Sequence, residues 1–371
     1  MTKSLLLPQT ILTGPGSIIQ LGPQVSALGH RVLLVTGSRF ARRTGLTDRL
    51  TMLLAAADCS VVCFEDVGPE PDLVTCDAAR KALSDHGCDV VLGLGGGSAL
   101  DVAKVAAGLA HETPPSLDFW NGAAPSRPGV PFVAIPTTSG SGSEATVNGV
   151  ITNPDVPTKR SIRDNGFIAR VVIVDPELTL NCPPDVTANA GMDALCQAIE
   201  SFTSRYANPL TDVFAARAVS LLAEGLRTAY TRPDDILART STSLGALFAG
   251  VSMTNARAGV VHGLAHPLGA RLKLSHGRLC AILLPLAMAL NRPFALPKFR
   301  ELDRMLDGDA DSFVRNLLVD FHIPARLPHH GLTPDDFTPM IQDALESGST
   351  KANPKTITAD DCRTILGQLL A

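Results

Sequence analysis

Short runs of β-branched and aliphatic residues alternate with amphipathic stretches through the first half of the chain. Residues 32–36, 60–64, 89–94, 132–135 and 171–174 read as strands, with helix-period stretches such as 45–56 and 73–85 between several of them. Strands that are apolar at nearly every position must bury both faces, and with helices between them they predict a parallel sheet covered on both sides. From about Pro183 the period changes to 3.6 residues and strand signals disappear. Residues 190–204, 210–229, 236–253, 258–268 and 279–291 then read as successive helices. Pro176, Pro183 and Pro184 interrupt both patterns. The expected fold is an α/β domain with a parallel sheet over residues 1–181 and an all-α domain over residues 182–371.

Composition narrows the partners. A chain of 371 residues is long enough for two cores, and with 45% hydrophobic against 18% charged residues most of it should pack. A net charge of −4 leaves no electrostatic footprint for nucleic acid or an anionic membrane. The three-leucine run near the N-terminus is cut by Pro8 and is too short for a signal-peptide core, and no later run approaches a membrane span. A cytoplasmic protein acting on a small molecule is expected. The eight cysteines are scattered without Cys-x-x-Cys pairs and read as small buried hydrophobes in a reducing compartment.

Two loops carry phosphate chemistry. In the run CDVVLGLGGGSALDVAK a strand leads into Gly95, Gly96 and Gly97, whose bare backbone admits a diphosphate, while Ser98 and the first amides of the next helix can donate to its oxygens. The spacing is not G-x-G-x-x-G. The second loop, PTTSGSGSEAT, follows the strand FVAI and offers the hydroxyls of Thr137, Thr138, Ser141 and Ser143. Two such loops at strand ends predict a dinucleotide site.

The second half concentrates a different chemistry. His262, His266 and His276, three of nine histidines, fall in one Gly-punctuated apolar segment. On a helix, His262 and His266 stand one turn apart on one face, where two imidazoles can share a cation, and His276 lies in a Ser-His-Gly turn that can return to the same point. Upstream, GMDALCQAIESF places Asp193 on an apolar helix on the same face as Gln197. A buried aspartate needs a partner or a cation.

In order along the chain, PQTILTGPGS, GGGSALDVAK, PTTSGSGSEAT, DPELT, GMDAL and HGLAHPLG followed by His276-Gly277 resemble the iron-containing (group III) alcohol dehydrogenases. That resemblance implies an N-terminal half that binds NAD(P) and a helical half that holds a divalent metal, Fe(II) or Zn(II), in the cleft. It maps the family's metal ligands onto Asp193, position 197, His262 and His276, and its proton-relay histidine onto His266. Cofactor contacts map onto Gly95, Gly96, Gly97, Ser98, Asp101, Thr137, Thr138, Ser141 and Lys159, and a nicotinamide-pocket position onto Asn148. The departure is Gln197, where the family has histidine; a glutamine carbonyl is a weaker donor to zinc or ferrous iron. NAD-preferring relatives often carry aspartate where this chain has Gly37, so Gly37 permits NADP, with Ser38 or Arg39 available to the 2′-phosphate.

The expected protein is thus a metal-dependent, NAD(P)-linked alcohol dehydrogenase or aldehyde reductase in which the metal polarises the substrate oxygen and His266 relays its proton. Gly149, Phe248 and Met253 are expected to face the substrate, with Gly149 leaving room for a larger group. Two alternatives stay open. One is a metal-independent reductase resembling maleylacetate reductase, with Arg257 and Arg271 binding an acidic substrate. The other is a dinucleotide-binding sensor without catalysis. By analogy with the family, a homo-oligomer is expected.

Overall fold

The computed structural model describes residues 4–37, 40–156, 158–327, 332–333 and 336–370. Ser38 and Arg39, singled out above, lie outside the described residues. The rest falls into two compact units: residues 7–138 with 142–180, and residues 4–6 with 139–141 and the described residues from 181 onward.

Among its described residues the first unit has eight strands: β1 (Thr10–Thr13), β2 (Arg31–Gly37), β3 (Ser60–Val67), β4 (Val90–Gly95), β5 (Phe132–Pro136), β6 (Asn148–Asn153), β7 (Thr158–Arg163) and β8 (Val171–Val174). Six of them form one parallel sheet in the order β1-β8-β5-β4-β2-β3. The continuous apolar runs of β2, β4, β5 and β8 occupy its interior, where both faces are covered. Periodicity does not reveal β1, a four-residue edge strand with alternating half-exposed and exposed residues. It also misses the antiparallel β6–β7 hairpin, whose Lys, Arg, Asn and Thr content hides the strand signal. Helices α1 (Leu46–Ala55), α2 (Leu73–Asp85) and α3 (Gly97–Gly108) follow β2, β3 and β4 in turn.

A buried charge network ties α3 to the hairpin. The Lys104 side chain is fully buried, and its ammonium lies 2.7 Å from the Ser143 carbonyl, 3.0 Å from the Ser143 hydroxyl, 2.7 Å from Thr146 Oγ1 and 2.9 Å from the Asn148 carbonyl. Asp101, one turn earlier, accepts the amide of Val150 at 2.9 Å and the hydroxyl of Ser143. Burial lowers the Lys104 pKa to about 8 against the opposing pull of Asp101 and Glu144.

Glu144 is buried beside them, and burial raises its carboxyl to about 7, with Lys104 opposing and Asp101 adding to the rise. A carboxyl that keeps its proton longer when folded stabilises the protein below its unfolded value of about 4.5 and loses that contribution as pH rises to about 7. The unfolding free energy of wild type relative to Glu144→Gln is therefore expected to fall by about 3 kcal/mol between those limits. Denaturant unfolding of both proteins across this range measures it; a difference independent of pH contradicts the assignment.

The second unit is helical: α4 (Pro184–Thr203), α5 (Pro209–Thr231), α6 (Ile236–Ala256), α7 (Val260–Leu272), α8 (His276–Asn291), α9 (Leu296–Met305), α10 (Ala310–Asp320), α11 (Phe337–Glu346) and α12 (Ala359–Leu370). Helix α4 starts six residues before the periodic stretch that predicts it. Pro184 supplies the fixed φ of a first helical residue, and the Thr187 amide bonds back to the Pro183 carbonyl at 2.8 Å. Apolar faces of α4, α5, α6, α7 and α8 enclose one core in which Met192, Leu195, Ile199, Leu264 and Leu283 are buried. Pro267 stays within α7. No helix among the described residues is long and apolar enough to cross a membrane.

Candidate metal centre and cofactor loops

Three helices of the second unit supply the polar cluster. On α4, Asp193, Gln197 and Glu200 follow at helical spacing, and all three are buried, with exposures of 4%, 2% and 3%. His262 lies in the first turn of α7. His276 is not held in a loop, as the sequence suggested, but is the first residue of α8 and places Cys280 one turn further along the same helix. Lys273 in a left-handed conformation ends α7, leaving only Leu274 and Ser275 before α8 starts. Gly277 then lets α8 lie directly on α4, since a Cβ there would stand 2.1 Å from the Asn189 carbonyl oxygen.

Glu200 orients His262. One carboxylate oxygen accepts the Val261 amide at 2.7 Å, and the other stands 2.6 Å from His262 Nδ1. With the Nδ1 proton held there, Nε2 presents a lone pair to Asp193 Oδ1 at 3.5 Å. Two electron-rich atoms face each other across that gap. Asp193 Oδ1, Gln197 Oε1 and His262 Nε2 are all buried without a hydrogen-bond partner, and each such orphan costs about 1–3 kcal/mol. A divalent cation satisfies all three, so the donor set fits the metal that the resemblance implies.

The electrostatics agree. Burial would raise the Asp193 pKa, yet His276 and His262 hold it down to about 2. Burial works against a charge on His262, but Cys280, Asp193 and Glu200 hold its pKa well above the usual histidine range. Cys280 is opposed by burial, but Cys196 and the two imidazoles lower its thiol to about 6.

The structure groups His262 with His276, Asp193 and Cys280, their ligating atoms all within 4.8 Å of one another. His266 is not the second imidazole of that group, although it stands one turn from His262; its half-buried ring lies 5.2 Å from that of His276. Cys280 and Glu200 escape a reading of the sequence alone. Their signals are present, since Cys280 is four residues after His276 and Glu200 seven after Asp193. The spacing of Cys280 means nothing while His276 reads as a turn residue and cysteine as packing; of the eight cysteines seven are buried and Cys63 is exposed.

In the first unit, Gly95 ends β4 with φ +147, a conformation that favours glycine, and Gly96 caps α3, which begins at Gly97. The Thr137 amide bonds to the Gly95 carbonyl at 2.9 Å, joining the two loops, and a Cβ on Gly96 would lie 3.3 Å from Thr138 Oγ1. The Ser98 hydroxyl donates to the Pro69 carbonyl at 2.7 Å. Lys159 pairs with Glu70, and Asn148 stands 3.4 Å from both Ser161 and Arg163 in the hairpin. Gly37 ends β2, and a Cβ there would only reach ordinary contact with the Val67 carbonyl at 3.4 Å, so packing does not demand glycine. Gly149 corrects an expectation. A Cβ there would stand 2.7 Å from Val105 and 2.9 Å from the Asp101 carbonyl, so the missing side chain admits α3 against the hairpin instead of making room for substrate.

In the second unit, Ser141 lies just before the resumption of the first unit at Gly142. Phe248 packs edge-on to Phe214 with ring centroids 5.7 Å apart, and Met253 is half-buried on α6. Arg271 pairs with Asp336 at 3.1 Å, and the Arg257 guanidinium sits over Tyr206 at 5.3 Å. Both cations offered above for an acidic substrate are engaged elsewhere.

A parallel α/β unit with glycine loops after its strands is followed in sequence by a helical unit with an aspartate–histidine cluster. Residues 8–176 match the iron-containing alcohol dehydrogenase family and residues 187–370 match the C-terminal region of the Fe-containing alcohol dehydrogenase family. The chain is 33% identical to long-chain-alcohol dehydrogenase 1 of Geobacillus thermodenitrificans (strain NG80-2), over 97% of this chain and 95% of that protein. It is 29% identical to the NAD-dependent methanol dehydrogenase of Bacillus methanolicus, with both chains fully covered. The solved structure of a 1,3-propanediol oxidoreductase matches with a TM-score of 0.95 at 30% identity, over the whole of both chains. The chain belongs to the iron-containing alcohol dehydrogenase family and is an oxidoreductase of the alcohol dehydrogenase and aldehyde reductase type.

Proposed function

We propose that the protein is a metal-dependent, NAD(P)-linked enzyme that interconverts a small primary or secondary alcohol and its carbonyl compound, with residues 1–181 binding the nucleotide and residues 182–371 the metal and substrate. The observation that carries this reading is the trio of buried, unpartnered atoms on Asp193, Gln197 and His262. Asp193, Gln197, His262 and His276 would hold the cation, Fe(II) or Zn(II). When bound, the cation supplies a Lewis acid for the substrate oxygen and the nicotinamide supplies the hydride acceptor or donor.

The chain's own residues do the rest. Glu200 fixes the His262 tautomer through the 2.6 Å contact at Nδ1. The glycines from Gly95 to Gly97, with Thr137, Thr138 and Ser141, cradle the cofactor, and Asp101 and Lys159 hold the framework around it. Gly37 admits a 2′-phosphate, so NADP is accepted alongside NAD; sterics do not require glycine there, which supports a specificity role. Asn148, Phe248 and Met253 border the nicotinamide and substrate.

His266 moves the hydroxyl proton of the alcohol towards solvent, which its half-buried position beside His276 supports. His266→Ala should lower kcat by about 10²–10⁴-fold while metal content, measured by elemental analysis, stays at the wild-type level. Loss of metal with turnover intact would place His266 among the ligands and overturn the relay.

A further inference from the structure

We propose that Cys280 Sγ is a ligand of the cation and supplies the fourth strong donor that Gln197 does not. The inference rests on the reading that Asp193, His262 and His276 hold a divalent metal. A tetrahedral ion with nitrogen and oxygen ligands at about 2.0–2.1 Å and sulfur at about 2.3 Å keeps its ligand atoms about 3.3–3.7 Å apart. Three edges of that tetrahedron are already drawn: Asp193 Oδ1 to His262 Nε2 at 3.5 Å, Asp193 Oδ1 to His276 Nε2 at 3.7 Å, and His276 Nε2 to Cys280 Sγ at 3.4 Å. The remaining separations within the group are at most 4.8 Å.

The sulfur is built into the site. Cys280 is fully buried, and the helical step from His276 turns both side chains to the same side of α8. Three buried neighbours, Asp193, Gln197 and His262, carry atoms that lack any hydrogen-bond partner and that a cation would satisfy. Cys196 does not compete for the role. Its sulfur is 4.0 Å from His262 Nδ1, the nitrogen already engaged by Glu200, and it groups with Glu200 and His262 and not with Asp193 and His276. Gln197 keeps a carbonyl oxygen free as a weak additional donor. A thiolate in place of an imidazole shifts the donor set towards borderline-soft ions, favouring Zn(II) or Co(II).

The test is spectroscopic. The apo protein is loaded with Co(II), and the near-ultraviolet thiolate-to-cobalt charge-transfer band is recorded for wild type, Cys280→Ser and Cys196→Ser. Zinc affinity is measured by competition with a chromophoric chelator. The expected result is an intense band in wild type and Cys196→Ser, its absence in Cys280→Ser, and a loss of zinc affinity of about 100-fold or more in Cys280→Ser, at or beyond the cost of losing a supporting residue. Adding Gln197→His to Cys280→Ser should restore affinity without restoring the band, which also separates lost ligation from misfolding. Stoichiometric cobalt in wild type without a band, or a band that survives Cys280→Ser, overturns Cys280 as ligand and leaves the metal reading standing. Wild-type protein that takes up neither cobalt nor zinc overturns both.

Discussion

Asp193→Asn is expected to lower kcat/KM for alcohol oxidation by about 1,000-fold, from the several kcal/mol that a Lewis acid contributes at a developing alkoxide. The substitution keeps the shape of the side chain and removes its charge. Asp193 is 4% exposed, and its pKa is held down to about 2 by His276 and His262 in spite of burial, so the site is arranged to keep that carboxylate ionised. A neutral amide offers the cation no charge and points two hydrogens where Asp193 Oδ1 now faces His262 Nε2 at 3.5 Å. Steady-state kinetics with elemental analysis on the same preparation provides the check: metal and activity should disappear together. An Asp193→Asn variant that keeps both would remove Asp193 from the centre.

Lys104→Met carries the largest expected effect on stability, a loss of about 3–5 kcal/mol in the free energy of unfolding, the usual result of removing one partner from a buried charged network. The methionine fills similar volume. What it cannot do is satisfy the carbonyls of Ser143 and Asn148 and the hydroxyls of Ser143 and Thr146, all within 3.0 Å of the ammonium, or offset the half-buried Asp101 and the buried Glu144. Chemical denaturation followed by circular dichroism measures the loss. A change under about 1 kcal/mol would mean that the surrounding acceptors find other partners without cost.

The two substitutions probe parts of the protein that differ in how plainly the chain announces them. The sheet is readable because a strand covered on both faces must be apolar at every position, as VVLGLG and FVAI are. The edge strand TILT and the hairpin NGVITN–TKRSIR are not, because their stability comes from neighbours and not from their own hydrophobicity. The proposed metal ligands Asp193, His262 and His276 stand out as polar residues in apolar runs. Lys104 does not, since one lysine in an alanine-rich helix looks like a solvated residue until the hairpin is seen to close over it.

By itself, the sequence determined the α/β half, the helical half, the glycine loops, and the short list of side chains able to carry the chemistry, because periodicity and residue type are local properties of the chain. Tertiary structure alone decided which of those side chains meet. The two-residue link after Lys273 and the bare Gly277 bring α8 onto α4, which sets His276 and Cys280 against Asp193 and leaves His266 to one side. It also turned Gly149 from an expected opening into a close helix contact. Contacts between residues as far apart in the chain as Asp193 and His276 depend on how helices cross, and no local pattern encodes that distance.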